Sequence, residues 1–299
     1  MGVISLSYLY ICNTFSDYIS KVNLAVFKEE AKIHLKLHKV DKVGPHHPCI
    51  YKDTLLTANS YSNSLSIIDL KENKEVENYF IGMHCNGVEV CGDNAYVICG
   101  ESNNIIVFNL IKKKIIEEIP CGSFPHSIAM EKNKNLIAVA NMQNDSVTLL
   151  DCNDKEKVLN IKVSSYPTKV IFTPNGENIL VCESNIGADN SGTLSFIDIK
   201  SLNVLWRINT GNSPVDIYCD ENYCYVSNFG DGTVSIVDIN KAKEVKRLKV
   251  GGMPRGIVKE KEFLYIGDNY NNLLIQLNIA GETKRVIPIG GEPTGMALI

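Results

Sequence analysis

The stretch that decides the fold runs from Cys224 to Asp238 and reads CYVSNFGDGTVSIVD. It holds two short runs of β-branched and aromatic residues, separated by a polar turn with Asp231 and Gly232 at its tip. Such runs are typical of β-strands, and an Asp-Gly turn is typical of a hairpin because both residues tolerate positive φ angles. The stretch therefore predicts one antiparallel strand pair that ends on an aspartate.

Six further segments have the same layout and also end on Asp or Asn. They are Leu9–Asn23, Leu55–Asp69, Ala95–Asn109, Ile137–Asp151, Ile179–Asp198 and Leu264–Asn278. The closing residues run from Asn23 to Asn278, so their mean spacing over six intervals is 42.5 residues. A repeat of this length suits a unit of four short strands, which is one blade of a β-propeller.

A second motif lies between the hairpins and reads approximately G-x-x-P-x-x-[IV]. Clear copies start at Gly122, Gly211, Gly251 and Gly290, and weaker copies start at Gly44, Gly82 and Ser164. Each copy is a turn followed by a short apolar run, which predicts a further strand in every repeat. Seven hairpins and seven copies of this motif predict seven blades.

The two ends of the chain complement each other. The chain starts with the middle strands of a unit and stops after Pro293-Thr-Gly-Met-Ala-Leu-Ile299, which matches the innermost strand of one. We therefore expect Met296–Ile299 to pair with Tyr8–Cys12 and to close the ring, because closure removes open sheet edges. The predicted fold is all-β: a seven-bladed propeller that takes residues 1–299 as a single domain.

Composition excludes several classes of protein. The 299 residues are 44% hydrophobic and 21% charged, with a net charge of −4 and no basic stripe, so a nucleic-acid partner is not expected. No run approaches about 18 apolar residues, so no transmembrane segment is expected. The segment Met1–Tyr10 lacks the positive start of a signal peptide, and the ten cysteines form no C-x-x-C pair. The expectation is therefore a cytoplasmic protein with reduced thiols.

Several of these segments resemble a known family. Tyr225-Val-Ser-Asn228, Tyr96-Val-Ile-Cys99, Tyr10-Ile-Cys-Asn13 and Leu56-Thr-Ala-Asn59, with the downstream Ser-Ile-Val-Asp runs, resemble the YVTN-repeat (YncE-like) propellers, which are similar to WD-repeat proteins. The resemblance covers nearly the whole chain. It implies the fold rather than one activity, because such propellers include ligand binders, interaction scaffolds, surface proteins and some enzymes. It also makes the cell surface the alternative location.

The resemblance further implies where a site would lie. In related propellers the G-x-x-P connection enters the innermost strand at one mouth of the central channel, beside the hairpin tips. Aligning the copies places at this entrance the residues His47 with Pro48, Asn86, His126, Thr168, Val215, Arg255 and Thr294. Just before them come His46, His84, Phe124, Tyr166, Ser213, Met253 and Glu292. The predicted ligand-binding residues are His46, His47, His84, Asn86, His126 and Arg255.

Histidine is the least evenly distributed residue type. All six histidines lie in the first 126 residues, and four of them fall in the entrance motif. Imidazoles from neighbouring blades would suit a divalent metal or a haem iron, with His47, His84 and His126 as candidate ligands. The alternative is that they fill polar turns and bond to nearby carbonyls, since no H-x-H, H-E-x-x-H or C-x-x-C-H motif is present. The prediction is no cofactor, with metal or haem as the alternative.

Arg255 is the only arginine of the entrance set, and it would suit a carboxylate or phosphate. The alternative is an ion pair with Glu292 or a nearby aspartate. Hairpin tips carry large side chains at Tyr61, Phe229 and Tyr270, with Phe15 and Met142 at comparable positions, which would suit a protein or peptide partner. Their alternative role is packing against the next blade. The fifth hairpin is lengthened by residues 185–192, which predicts a recognition loop or a plain surface loop.

No catalytic motif accompanies the repeats. Nucleophile-elbow, phosphate-loop and dinucleotide motifs are missing. The sequence therefore favours a non-catalytic propeller that binds a protein, peptide or small ligand at the channel mouth. Two enzymatic alternatives remain: a metal- or haem-dependent enzyme that uses the entrance histidines, and a lactonase-like hydrolase with Arg255, Glu292 and His126 as candidate residues.

Overall fold

The computed structural model describes residues 7–35, 41–185 and 191–299. Within these residues the chain is all-β: 28 strands form seven four-stranded antiparallel sheets, with one short 3-10 turn at Thr14–Ser16 and no α-helix. The predicted seven-bladed propeller is confirmed. No helix in the described part of the chain is long and apolar enough to cross a membrane.

Each blade uses its strands in order from the channel outwards. The innermost strands are β4 (Pro45–Tyr51), β8 (Cys85–Cys91), β12 (Pro125–Glu131), β16 (Pro167–Phe172), β20 (Pro214–Cys219), β24 (Pro254–Glu260) and β28 (Pro293–Leu298). The second strands are β5 (Thr54–Asn59), β9 (Asn94–Cys99), β13 (Leu136–Asn141), β17 (Asn178–Glu183), β21 (Tyr223–Asn228), β25 (Phe263–Asp268) and β1 (Tyr8–Asn13). The third strands are β6 (Ser64–Asp69), β10 (Asn104–Asn109), β14 (Ser146–Asp151), β18 (Thr193–Asp198), β22 (Thr233–Asp238), β26 (Leu273–Asn278) and β2 (Tyr18–Asn23). The outermost strands are β7 (Lys74–Phe80), β11 (Lys114–Pro120), β15 (Asp154–Lys162), β19 (Val204–Asn209), β23 (Lys243–Lys249), β27 (Lys284–Pro288) and β3 (Lys28–His34).

We number the blades by their innermost strands, so that blade 1 starts with β4 and blade 7 combines β28 with β1, β2 and β3. The predicted closure is confirmed, because β28 pairs with β1 and places Leu298 opposite Leu9 and Met296 opposite Ile11. Tyr8 and Ile299 exchange both backbone hydrogen bonds, at 2.8 and 2.9 Å. Strand β28 therefore completes the sheet that β1, β2 and β3 begin.

The core lies between neighbouring blades. One cluster joins Leu56 of blade 1 to Val97 and Phe108 of blade 2, all of them buried. Full burial of one such side chain contributes roughly 1.5–3 kcal/mol. Outer strands such as β23 instead expose most of their side chains.

The repeated polar residues are structural. The carboxylate of Asp69 accepts the backbone N–H groups of Lys71 and Glu72, both at 2.8 Å, which holds the turn after β6. The amide of Asn59 donates to Ser64 at 2.9 Å and to Ser66 at 2.8 Å. These side chains therefore shape turns and tie strands together within a blade.

The cysteines need one correction. Cys219 and Cys224 form a disulfide across the β20–β21 hairpin, where we expected reduced thiols. Cysteines of separate blades do stay apart, and Cys12, Cys99 and Cys182 are free and buried. Cys219 and Cys224 instead lie opposite each other within one hairpin. Disulfides persist mainly in oxidising compartments, so cysteine usage does not support the expected cytoplasmic location.

A β-bulge at the start of every innermost strand positions the channel lining. In each blade the pairing with the second strand shifts directly after the first residue of the innermost strand. The residues at the shift are His46, Asn86, His126, Thr168, Val215, Arg255 and Thr294. A bulge leaves one residue out of the strand pairing and re-aims its side chain. In blade 1 the strand starts at Pro45, so His46 rather than His47 takes this position, which corrects the alignment.

Candidate functional site

Four bulge residues link the first five blades through a series of hydrogen bonds. His46 Nδ1 donates to the carbonyl of Asn86 at 2.8 Å, and Asn86 Nδ2 donates to that of Pro125 at 3.3 Å. His126 Nδ1 donates to the Thr168 carbonyl at 2.8 Å, and the Thr168 hydroxyl donates to Pro214 at 2.8 Å. Each of these acceptors belongs to the next blade. This hydrogen-bonded belt ties blades 1 to 5 together along the mouth. For His46 and His126 it is the carbonyl-bonding role that the sequence left as the alternative.

The belt also fixes the tautomers of two histidines. A carbonyl only accepts hydrogen bonds, so His46 and His126 both carry their proton on Nδ1 and keep a lone pair on Nε2. Burial, helped by Arg255, lowers the pKa of His126 to about 4 and holds that of His46 well below its usual value. Both rings are therefore neutral at neutral pH, and their centroids lie 5.7 Å apart.

Arg255 makes its side-chain hydrogen bond to an uncharged partner. Its terminal nitrogen lies 3.2 Å from Nε2 of His46, which accepts the bond. Among the described residues, Arg255 has no carboxylate within ion-pair distance, so the alternative role, an ion pair with Glu292 or a nearby aspartate, is not seen. Burial lowers the pKa of Arg255, while Asp216 and Glu292 oppose that shift from further away. The guanidinium remains charged at neutral pH.

The mouth narrows to a small cavity beside these residues. His46, His126 and Arg255 line it together with Lys169 and Asp216. Lys169 Nζ lies 2.9 Å from Asp216 Oδ1, and both side chains are largely buried. The cavity has a volume of about 30 Å³, room for roughly two water molecules. That is about a tenth of an ordinary small-molecule pocket, so a haem does not fit among these residues.

The three candidate metal ligands do not converge. His47 and His126 both line the cavity, but His47 Nε2 lies 3.9 Å from Glu89 Oε1. The His84 ring packs against that of Phe124 at a tilt of 43°, with centroids 5.4 Å apart. No group of three histidine, cysteine, aspartate or glutamate side chains in the described ranges is arranged to hold a metal ion. The charge of Arg255 beside His46 and His126 also disfavours a cation at this point.

The predicted rim residues lie at the hairpin tips, on the mouth face. Backbone hydrogen bonds join these tips to the entrance loops, as from Tyr61 to Val43 at 3.1 Å and from Phe229 to Ser213 at 2.9 Å. Tyr270 is 71% exposed and Tyr61 is 48% exposed, whereas Phe229 is only partly exposed. The lengthened fifth tip lies mostly outside the described residues, because residues 186–190 are not among them.

Sequence reasoning missed Lys169 and Asp216, which follow the bulge residues by one position. Their charge pair lies inside the mouth because the strand alternates sides again after the bulge. A signal existed in the alignment: Lys and Asp at this position stand out against Gly87, Ser127 and Gly256 in other blades. Lys169 and Asp216 form an ion pair because blades 4 and 5, which carry them, are neighbours.

Comparison with known proteins supports the architecture. No family model matches the chain, and no curated protein matches it. Among solved structures, the chain is similar to hydrazine synthase of Kuenenia stuttgartiensis, with 21% identity over 88% of this chain and 92% of that one and a TM-score of 0.75. It is also similar to a functionally unknown protein from Desulfotomaculum acetoxidans, with 17% identity, 97% and 98% coverage and a TM-score of 0.82.

A third similar structure is the dihydro-heme d1 dehydrogenase NirN, with 13% identity over 96% of this chain and 65% of that one and a TM-score of 0.72. Identities this low show a shared fold and carry no activity to this chain. The protein is a seven-bladed β-propeller, and the resemblance to YVTN-repeat propellers stays a resemblance.

Proposed function

We propose that this protein is a non-catalytic binding propeller that recognises a protein or peptide segment on its channel-mouth face. The observation that carries the proposal is a ring of exposed aromatic and methionine side chains on this face. Its members, called the rim below, are Phe15, Tyr61, Met83, Tyr166, Met253 and Tyr270, and each is more than a third exposed.

The backbone supports placing these side chains on one face. Phe15 N donates to the carbonyl of Gly291 at 3.1 Å, and Asn269 N donates to that of Met253 at 3.0 Å. Each bond joins a hairpin tip to the entrance loop that leads to the mouth. Apolar side chains that gather around one opening, rather than scatter over a surface, are typical of a docking site. Tyrosine and methionine are also enriched at protein interfaces.

The proposal is tested by affinity capture from cells of the source organism. We expect a specific partner to be retained by the wild-type protein and lost with Tyr61→Ser plus Tyr270→Ser, because the two changes remove large contact areas from the rim. Cross-links to the partner should map to the hairpin tips.

The matched control is Phe80→Ser plus Trp206→Ser, which removes two exposed aromatic residues from the outer strands β7 and β19. It should retain the partner. Loss of the partner with the outer-strand pair and retention with the rim pair would refute the proposal.

The enzymatic alternatives have no comparable support. The cavity is too small for a haem, and Glu292 makes no ion pair with Arg255 that would suggest a hydrolase centre. The cytoplasmic location and the cell-surface alternative both remain predictions. We therefore propose that the protein binds a partner and catalyses no reaction.

A further inference from the structure

The mouth cavity presents donors on one side. Arg255 carries five N–H donors, and its one side-chain hydrogen bond in the described structure goes to His46. The other donors have no carboxylate to satisfy them. Lys169 is committed to Asp216 at 2.9 Å. Arg255 is thus the group in the cavity that is free to bind an anion.

The same cavity presents an acceptor on the other side. The Nδ1–H group of His126 donates to the Thr168 carbonyl, so Nε2 is left as a hydrogen-bond acceptor. The described residues supply no donor to this nitrogen. A ligand that satisfies His126 must therefore bring its own hydrogen-bond donor.

The charge and the volume of the cavity limit which ligands can bind there. Two cations, Arg255 and Lys169, face one carboxylate, Asp216, and the rings of His46 and His126 are neutral, so these five side chains carry a net charge of +1. The cavity of about 30 Å³ admits only a few heavy atoms. The Arg255 terminal nitrogen lies 3.2 Å from His46 Nε2, the His46 and His126 ring centroids lie 5.7 Å apart, and all three side chains line this one cavity. A single compact oxyanion in the cavity can therefore contact both Arg255 and His126.

We infer that the channel mouth binds a small, planar, singly charged oxyanion that carries its own O–H group, the class whose smallest member is bicarbonate. Two oxygens accept hydrogen bonds from the Arg255 guanidinium, whose planar fork matches them. The O–H group donates to Nε2 of His126. This site goes beyond the proposed partner binding and does not depend on it.

The test measures binding of ¹³C-labelled bicarbonate to the isolated protein by NMR, together with the rise of the unfolding midpoint at constant ionic strength. The wild type should show saturable binding. Formate, which has the same charge and planar shape but no O–H group, should bind about tenfold more weakly, the factor that one hydrogen bond in a small cavity supplies. Inorganic phosphate should bind weakly because it is larger and tetrahedral.

Two variants separate the roles. Arg255→Gln should abolish saturable binding, whereas Arg247→Gln, which removes an exposed charge from β23, should leave it unchanged. His126→Asn should lose the preference for bicarbonate over formate, with folding checked by circular dichroism.

Equal responses from Arg255→Gln and Arg247→Gln would overturn the site. Equal affinity of the wild type for bicarbonate and formate would overturn the role of His126, even if its variant did not fold. Neither result touches the capture experiment on the rim, which tests partner binding separately.

Discussion

At the scale of single residues, His126 shows how its surroundings decide what an imidazole can do. Its ring is neutral because burial and the nearby charges of Arg255 and Lys169 penalise the imidazolium. Its bond to Thr168 then fixes which nitrogen is free. The same side chain therefore supports the belt with one nitrogen and faces the cavity with the other.

The first prediction concerns pH. The pKa of His126 is about 4 in the folded protein, against 6.5 in the unfolded chain, so the unfolded state takes up the proton first as the pH falls. The folded state should lose stability between about pH 6.5 and 4, by at most about 3 kcal/mol from this group. Full stability is present above that window.

Urea unfolding at several pH values measures this effect. His126→Gln should flatten the dependence in the same window, while His34→Gln, on the outer strand β3, should preserve it. Because the belt bond of His126 changes as well, the readout is the slope against pH rather than the absolute stability. An unchanged slope in His126→Gln would contradict the prediction.

The second prediction concerns Gly122, the first residue of an entrance motif. An added Cβ would lie 2.6 Å from the side chain of Asn141, which is fully buried and hydrogen-bonded to Thr148 at 2.8 Å. Gly122→Ala should therefore destabilise the protein by about 1–3 kcal/mol in urea unfolding. Gly92→Ala is the control, because open space surrounds Gly92 and only its positive φ of 59° opposes a side chain. A smaller cost at Gly122 than at Gly92 would argue against the tight contact.

At the scale of elements, the bulge is the feature that turns a strand into a site. A regular innermost strand would alternate its side chains between the two faces of the blade. The bulge adds one residue at the mouth in every blade, so that seven side chains line the opening. Blades differ only in which residue occupies that position, and this is how a repeated structure acquires an asymmetric site.

The third prediction concerns the β20–β21 hairpin. The Cys219–Cys224 disulfide closes a short loop, with a sequence separation of 5, and a loop of that size supplies about 2 kcal/mol by restricting the unfolded chain. Cys224→Ser should lower the free energy of unfolding by this amount, and reductant should have the same effect on the wild type. Cys152→Ser removes a free thiol and should not abolish the effect of reductant. A wild type indifferent to reductant would contradict the prediction.

At the scale of the whole molecule, closure gives every blade two neighbouring blades. Every innermost strand contacts the innermost strands of both neighbouring blades, and β28 contacts both β24 and β4. Blade 7 alone is built from both ends of the chain. We therefore expect the stability of the ring to depend on the pairing of β28 with β1, which joins residues far apart in the sequence.

The fourth prediction tests this closure. Deletion of residues 293–299 removes β28 and exposes the edge of β1, so we expect loss of cooperative unfolding and self-association. Size-exclusion chromatography and thermal unfolding measure both effects. Addition of a synthetic peptide with residues 293–299 should restore the monomer. A truncated chain that stays monomeric and equally stable would show that closure is dispensable.

Much of the fold could be predicted because its signals are local and repeated. The hairpins, such as Cys224–Asp238, are set by β-branched runs and turn residues that are close together in sequence. The complementary ends of the sequence also predicted that Met296–Ile299 pairs with Tyr8–Cys12. The candidate site could be predicted only in part: the entrance motif led to His126 and Arg255, but it placed His47 where the structure has His46.

The sequence by itself determined the blade number, the strand order and the closure of the ring, because backbone pairing and burial repeat with the same period seven times. The tertiary structure alone decided which side chains meet. Arg255 contacts His46, which lies 209 positions away in the sequence. The bulge in β4 places His46 rather than His47 at the bulge position. The register of the β20–β21 hairpin places Cys219 opposite Cys224. These contacts depend on how strands are paired and how blades adjoin, and no local pattern encodes a distance between separate blades.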